Sequence, residues 1–134
     1  MNESTDVAAV RGLAMARAAE AMLRTLGGRE VRLVLPGAGG ADTNARQLGM
    51  DNPAVETVTL APVVVRRGER GRYELLLAAA TLERESEARQ VVAPALLKSA
   101  VRIEAGDLKL RPEYVAAACF GGAAYLYRVT ATEV

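Results

Sequence analysis

Hydrophobic and polar residues follow two different periods along this chain, and the change of period divides it into two parts. From Ser4 to Gly28, apolar residues recur at the spacing of one face of a helix. Gly27 and Gly28 supply a helix stop. From residue 29 onward the period is two, as in half-buried strands. The pattern therefore predicts a helix over 4–28, followed by a mainly β part over 29–134.

Seven strand-like runs in the β part predict about six short strands. The strand-like runs are REVRLVL, ETVTLAPVVVRR, RYELLLAAATLER, the two halves of VRIEAGDLKL around Gly106-Asp107, and the two halves of YVAAACFGGAAYLYRVTAT around Gly121-Gly122. Pro62 predicts a bend, bulge or edge in its strand, and VVAPALLKSA predicts a short helix. Strands in succession favour antiparallel pairing in a small barrel or sandwich. The predicted fold class is α+β and mainly β, with one long N-terminal helix and one short helix, in a single domain over 1–134.

The predicted N-terminal helix has one apolar face, on which Met15, Met22, Leu23 and Leu26 are the candidates for packing. Alanines share this face, so another element can approach it closely. The periodicity leaves open whether that element belongs to the same chain or to a neighbour.

The stretch LVLPGAGGADTN is a strand that opens into a glycine-rich segment, as dinucleotide-binding loops do. The third glycine of that motif is replaced by Asp42, and no lysine precedes Lys98, so neither a dinucleotide motif nor a P-loop is complete. A long connection over about 36–56 is predicted instead. Connections of this length usually serve binding or remain disordered. Its few apolar residues, Leu48, Met50 and Val55, are the candidates for anchoring it to a partner on assembly.

Composition narrows the candidate chemistry. The 134 residues are 51% hydrophobic and carry a formal net charge of +1, with no histidine and one cysteine. Without histidine the commonest proton-transfer group and metal ligand are missing, and three serines cannot form an ordinary triad. No cofactor, metal site or membrane span is predicted. Cys119, inside the run YVAAACF, is interpreted as a small buried hydrophobe.

Two charged segments remain to be considered as candidate sites. Glu83, Glu85 and Glu87 alternate in LERESEAR, which is interpreted as a solvated charged turn. Arg66, Arg67, Arg70 and Arg72 surround the predicted hairpin RGERG, and this basic patch is the best candidate for contact with a phosphate or an acidic partner. Most such clusters are exposed faces that keep a protein in solution.

The second part of the chain, over about residues 48–130, resembles head–tail joining proteins of long-tailed bacteriophages and prophages, also called stoppers, connectors or head-completion proteins. The resemblance is carried by the β-run with Leu60, Pro62 and Val63, by the I-x-x-G-D turn that begins at Ile103, and by the closing strand YLYRV. An insertion, Arg111-Pro112-Glu113, separates that turn from the following strand.

This resemblance implies a structural protein of the virion neck and not an enzyme. Such proteins form homo-oligomeric rings of β-barrel subunits between portal and tail, so the implied partners are further copies of the chain, neighbouring neck, portal or tail proteins and, non-specifically, packaged DNA. The lack of a stretch of signal-peptide or membrane-spanning type predicts the cytoplasm at synthesis, and the resemblance implies the head–tail junction of the virion thereafter. The alternative is another tail module, such as a tail terminator or a baseplate component.

Overall fold

A computed structural model describes residues 3–37 and 55–134 of the chain, and side chains from Arg11 onward. The helices and strands of the described part are, in chain order, α1 Glu3–Thr25, β1 Arg29–Leu35, β2 Glu56–Arg67, β3 Arg72–Ala78, α2 Ala79–Ala88, α3 Ala93–Lys98, β4 Arg102–Ala105, β5 Leu108–Phe120 and β6 Ala123–Glu133.

The six strands close into one barrel, in the order β1-β2-β3-β6-β5-β4, and every neighbouring pair is antiparallel. A mainly β chain with a small antiparallel barrel is therefore confirmed, and the barrel is realised instead of the sandwich. Of the bend, bulge or edge expected at Pro62, a bulge is found, because the β1–β2 register shifts between Arg29 and Val31. Two residues of β2, Ala61 and Pro62, lie there opposite the single residue Glu30 of β1.

Aliphatic side chains fill the barrel, since alternate residues of each strand point inward. The buried interior positions include Leu33, Leu60, Leu75, Leu77, Ile103, Leu110 and Val129, together with Tyr127. Helices α2 and α3 add Leu82, Leu96 and Leu97 to the same cluster. These two helices connect β3 to β4 and so cover one end of the barrel.

The N-terminal helix packs on the outside of the barrel. Leu23 is fully buried there, in a second cluster whose other members are Val64, Leu76, Ala78 and the half-buried Leu126. Helix α1 ends at Thr25 in a Schellman motif: the N–H of Gly27 donates to Arg24 and the N–H of Gly28 donates to Leu23, over 3.1 and 2.7 Å. Gly27 has a φ of +82°, which a glycine adopts without strain.

Helix replaces part of the predicted β structure between β3 and β4. The run RYELLLAAATLER was expected to be one strand, but the strand ends at Ala78 and α2 begins at Ala79. The predicted charged turn LERESEAR is wrong for the same reason, because most of it lies within α2. Leu82 and Ser86 are buried at helical spacing, and the alanines before them have a higher preference for helix than for strand. Two short helices are therefore present where one was predicted.

Cys119 is exposed near the end of β5, so the prediction of a buried cysteine is wrong. Its neighbours in the sequence are apolar, but β5 extends past the end of β3, whose pairing with β6 stops at Ala78 opposite Leu126. Cys119 pairs with Ala124, beyond that point. Among the described residues, no helix is long and apolar enough to cross a membrane.

Strand β4 closes the barrel with few residues and with a pair of ionic contacts. It pairs with β1 on one side and with β5 on the other. A carboxylate oxygen of Glu104 accepts a hydrogen bond from Arg32 on β1 over 2.9 Å, and the other accepts one from Arg102 over 2.9 Å. The hydrogen bond from Arg102, followed by the attraction of Arg32, lowers the pKa of Glu104.

We predict that Glu104→Gln lowers the free energy of unfolding at pH 7. Because the pKa of Glu104 is lowered by folding, its stabilisation is complete above the usual pKa of 4.5 and is lost as the pH falls through the lower folded value. The difference between variant and wild type, measured by urea unfolding, should therefore shrink below about pH 4.5. Glu30→Gln, at an exposed position of β1, is the control and should change stability little at either pH. A difference for Glu104→Gln that is the same at pH 3 and pH 7 would contradict this assignment.

Candidate functional site

The basic patch predicted around the β2–β3 connection is one hairpin, and two of its four arginines are compensated by carboxylates. Arg66 lies opposite Glu74 in the register and forms an ion pair with it over 3.6 Å. Arg72 reaches Glu113 on β5 over 4.0 Å. Glu74 also contacts Arg128 over 3.8 Å. These exposed pairs are weak individually, but they reduce the net charge of the hairpin.

Arg67 and Arg70 form none of the ion pairs found in the described part of the chain. Arg70 lies in the turn with a φ of +58°. A groove beside the turn contains two acidic and two basic side chains. Its lining residues are Gly68, Glu69, Arg70, Arg72, Tyr73, Glu74 and Thr130. The hairpin therefore presents alternating charges and not a concentrated anion site.

A second candidate surface lies where the described chain leaves β1 and enters β2. We call it the loop-end groove, and it is lined by Leu35, Pro36, Glu56, Arg89, Val91, Ala95, Leu96 and Ser99. Most of this lining is apolar. Val55, one of the three candidates for anchoring the long connection to a partner, directly precedes Glu56 and is exposed. The other two candidates, Leu48 and Met50, lie outside the described residues.

Arg89 holds the loop-end groove together. Its guanidinium forms an ion pair with Glu56 at the start of β2, and it donates to both the carboxylate and the carbonyl of Glu85 on α2, each over 2.9 Å. The Nε atom of Arg89 is buried and has no partner among the described residues. The bond to Glu56 is the largest cause of a raised pKa for Arg89. This arginine thus stays charged and ties α2 to the first residue of β2.

The helix-packing candidates divide into buried and exposed positions. Leu23 is buried, Met15 is half-buried, and Met22 and Leu26 are exposed. Ala19 is the other buried residue of the described part of α1. The helix face that packs within the subunit is thus narrower than its periodicity indicates.

The hydroxyls of Ser86 and Ser99 are used structurally. Ser86 donates to the carbonyl of Glu83 over 2.9 Å, and Ser99 donates to that of Leu96 over 2.8 Å. Burial, and then the charge of Glu87, raises the pKa of Glu83. Burial also raises the pKa of Tyr127, to which Glu83 contributes. Within the described ranges, no cluster of three or more acidic or cysteine side chains is placed to hold a metal ion.

Sequence reasoning missed Arg89 and Glu56, because they lie far apart in the chain. The one local signal was the apolar pair Val91-Val92, which follows Gln90 after the end of α2. Both valines are exposed.

Comparison with protein-family models, with curated proteins and with solved structures finds no match to this chain.

Proposed function

We propose that this protein is a structural subunit of a phage or prophage neck, which assembles as a ring between the portal and the tail. The alternative of a tail terminator or baseplate component requires the same self-association. In both cases the protein is a building block and not an enzyme.

One observation carries the proposal: the N-terminal helix has an apolar flank that the described barrel leaves exposed at Met22 and Leu26. At 100° per residue, Met15, Met22 and Leu26 lie on one side of the buried stripe of Ala19 and Leu23. Met22 and Leu26 are 43% and 54% exposed. Large exposed apolar groups grouped on one element are typical of an interaction surface, and a helix docked on a barrel presents this flank in a fixed orientation.

The contacts of the described polar residues also support a structural role. The serines of α2 and the α3 terminus donate to backbone carbonyls, and the hairpin arginines are partly compensated. Arg67 and Arg70 remain for contacts with an acidic partner or with packaged DNA. That the proposed assembly is a phage neck rests on the resemblance to head–tail joining proteins, which is an argument by analogy.

The test uses portal and tail proteins encoded beside this gene. The purified chain is mixed with its neighbouring portal protein, and electron microscopy determines whether a ring is added. We expect Met22→Asp to abolish the ring, because a charge at this flank opposes burial against a neighbour. Leu13→Asp is the matched control, since Leu13 is 53% exposed on the other side of α1, and it should still form the ring.

Two results would overturn the proposal. One is a metabolic operon in place of portal, capsid and tail genes around this gene. The other is a portal ring to which neither wild type nor Leu13→Asp binds.

A further inference from the structure

Strand β5 has a long side without a partner strand. Strand β4 pairs with β5 only from Leu108 to Leu110, while β6 pairs with it as far as Phe120. Helix α3 contacts β5, but among the described residues it makes no backbone hydrogen bond to the strand. The side of β5 from Arg111 to Phe120 is therefore an open edge in the described structure. Pro112 fits this position, because proline within a sheet is confined to edges and bulges.

The register determines which backbone groups point outward from this edge. Val134 donates to the carbonyl of Lys109, so at the regular alternation of β6 Thr130, Arg128 and Leu126 also direct their backbone groups toward β5. Their partners are Tyr114, Ala116 and Ala118. The intervening residues Val115, Ala117 and Cys119 therefore direct their N–H and C=O groups to the open side. Unpaired groups of this kind are a template for another strand.

Side chains along the same edge are uncharged from Tyr114 to Phe120. Tyr114 is 65% exposed and Phe120 is 43% exposed. Both aromatic residues lie on the outer face, together with Ala116 and Ala118, because side chains alternate along the strand. Ala117 is exposed although its partner in the register, Tyr127, is buried. The edge is thus accessible and apolar near its middle.

From this edge we infer that the free protein is a twofold dimer, in which the β5 strands of two copies pair antiparallel around Ala117. This register places Tyr114 opposite Phe120 of the second copy and Ala116 opposite Ala118. It also sets Val115 opposite Cys119, and these are residues whose backbone groups point outward. Aromatic pairs across strands are favourable, and no charge is brought opposite a like charge.

A second copy suits the edge because the edge is complementary to itself. The seven residues from Tyr114 to Phe120 have an aromatic side chain at each end and smaller side chains between them. A twofold axis through Ala117 therefore places each aromatic side chain opposite an aromatic one and each smaller side chain opposite a smaller one. The dimer is independent of the proposed ring, since it uses β5 and not the flank of α1. It is the form expected of the protein before it meets any partner.

Sedimentation velocity of the full chain tests the inference first. Wild type should sediment as a dimer of twice the chain mass of 14.2 kDa. Ala117→Pro should sediment as a monomer, because proline removes an N–H that points to the second copy and none that bonds to β6. Circular dichroism reports whether the variant keeps the fold. A monomeric wild type, or a folded Ala117→Pro that remains dimeric, would overturn the inference.

Disulfide formation tests the register separately. In the inferred dimer, the variant Val115→Cys places its new thiol opposite Cys119 of the second copy, at the spacing of about 5.5 Å that suits a disulfide. This variant should form a covalent dimer on mild oxidation. Glu113→Cys is the matched control, since its position lies opposite Gly121, and it should crosslink far less. Equal crosslinking of the two variants would show that the strands do not meet in this register.

Discussion

Leu23→Asp is expected to lower the free energy of unfolding by about 4 kcal/mol and the melting temperature by roughly 15 °C. Leu23 is 0% exposed and lies between α1 and the outer face of the barrel, against Val64, Leu76 and Ala78. Aspartate there loses the apolar contacts and brings a carboxylate into a cluster that contains no cation. The helix then separates from the barrel or the whole domain unfolds. Thermal unfolding followed by circular dichroism measures the change.

Met22→Asp is the neighbouring control, and it carries the same new charge. Met22 is 43% exposed, so the carboxylate remains in water and the stability should change by less than about 0.5 kcal/mol. Equal destabilisation by the two substitutions would mean that α1 packs through a different face from the one described.

Gly28→Ala is expected to destabilise the protein by about 3 kcal/mol, as overpacking does in a closely packed site. A Cβ atom at this position would lie 2.7 Å from the carbonyl oxygen of Leu23 and 2.7 Å from the Cβ of Pro62. Neither atom belongs to a flexible side chain, so relief requires the helix end to move away from β2. Urea unfolding of the variant measures the loss.

Gly12→Ala is the control for this prediction and should act in the opposite direction. Gly12 lies inside α1, and a Cβ there meets nothing within 4 Å. Alanine in a helix interior is favoured over glycine by about 0.5–1 kcal/mol, so the variant should be slightly more stable than wild type. If Gly28→Ala were as stable as Gly12→Ala, the close approach of the helix end to Pro62 would be wrong.

The barrel was predictable from local pattern because its strands alternate cleanly. Val31, Leu33 and Leu35 mark one such strand, and the turns at Gly106 and Gly121 separate others as expected. The segment after Leu77 was not predictable in the same way. A short apolar run with alanines is compatible with a strand or a helix, and only the end of β3 at Ala78 decides between them.

The candidate site depends on contacts between residues that are distant in sequence. Arg89 meets Glu56 across 33 positions, and no periodicity connects them. Met22 is likewise exposed beside the buried Leu23. How far around the helix the barrel reaches decides this difference, and the helical periodicity does not show it. The four hairpin arginines were found from their clustering around RGERG in the sequence, but Glu74 and Glu113, which compensate two of them, became apparent only through strand pairing.

The closing strand β4 also determines how the protein can fold during its synthesis. Strand β1 finds its first neighbour in β2, but its second neighbour lies much later, since Arg32 and Glu104 are 72 positions apart. At translation rates of 5–20 residues per second, about 4–14 s pass between the synthesis of these two residues. Throughout that interval the nascent barrel has one side of β1 unpaired, and slower translation prolongs its exposure to other chains and to chaperones.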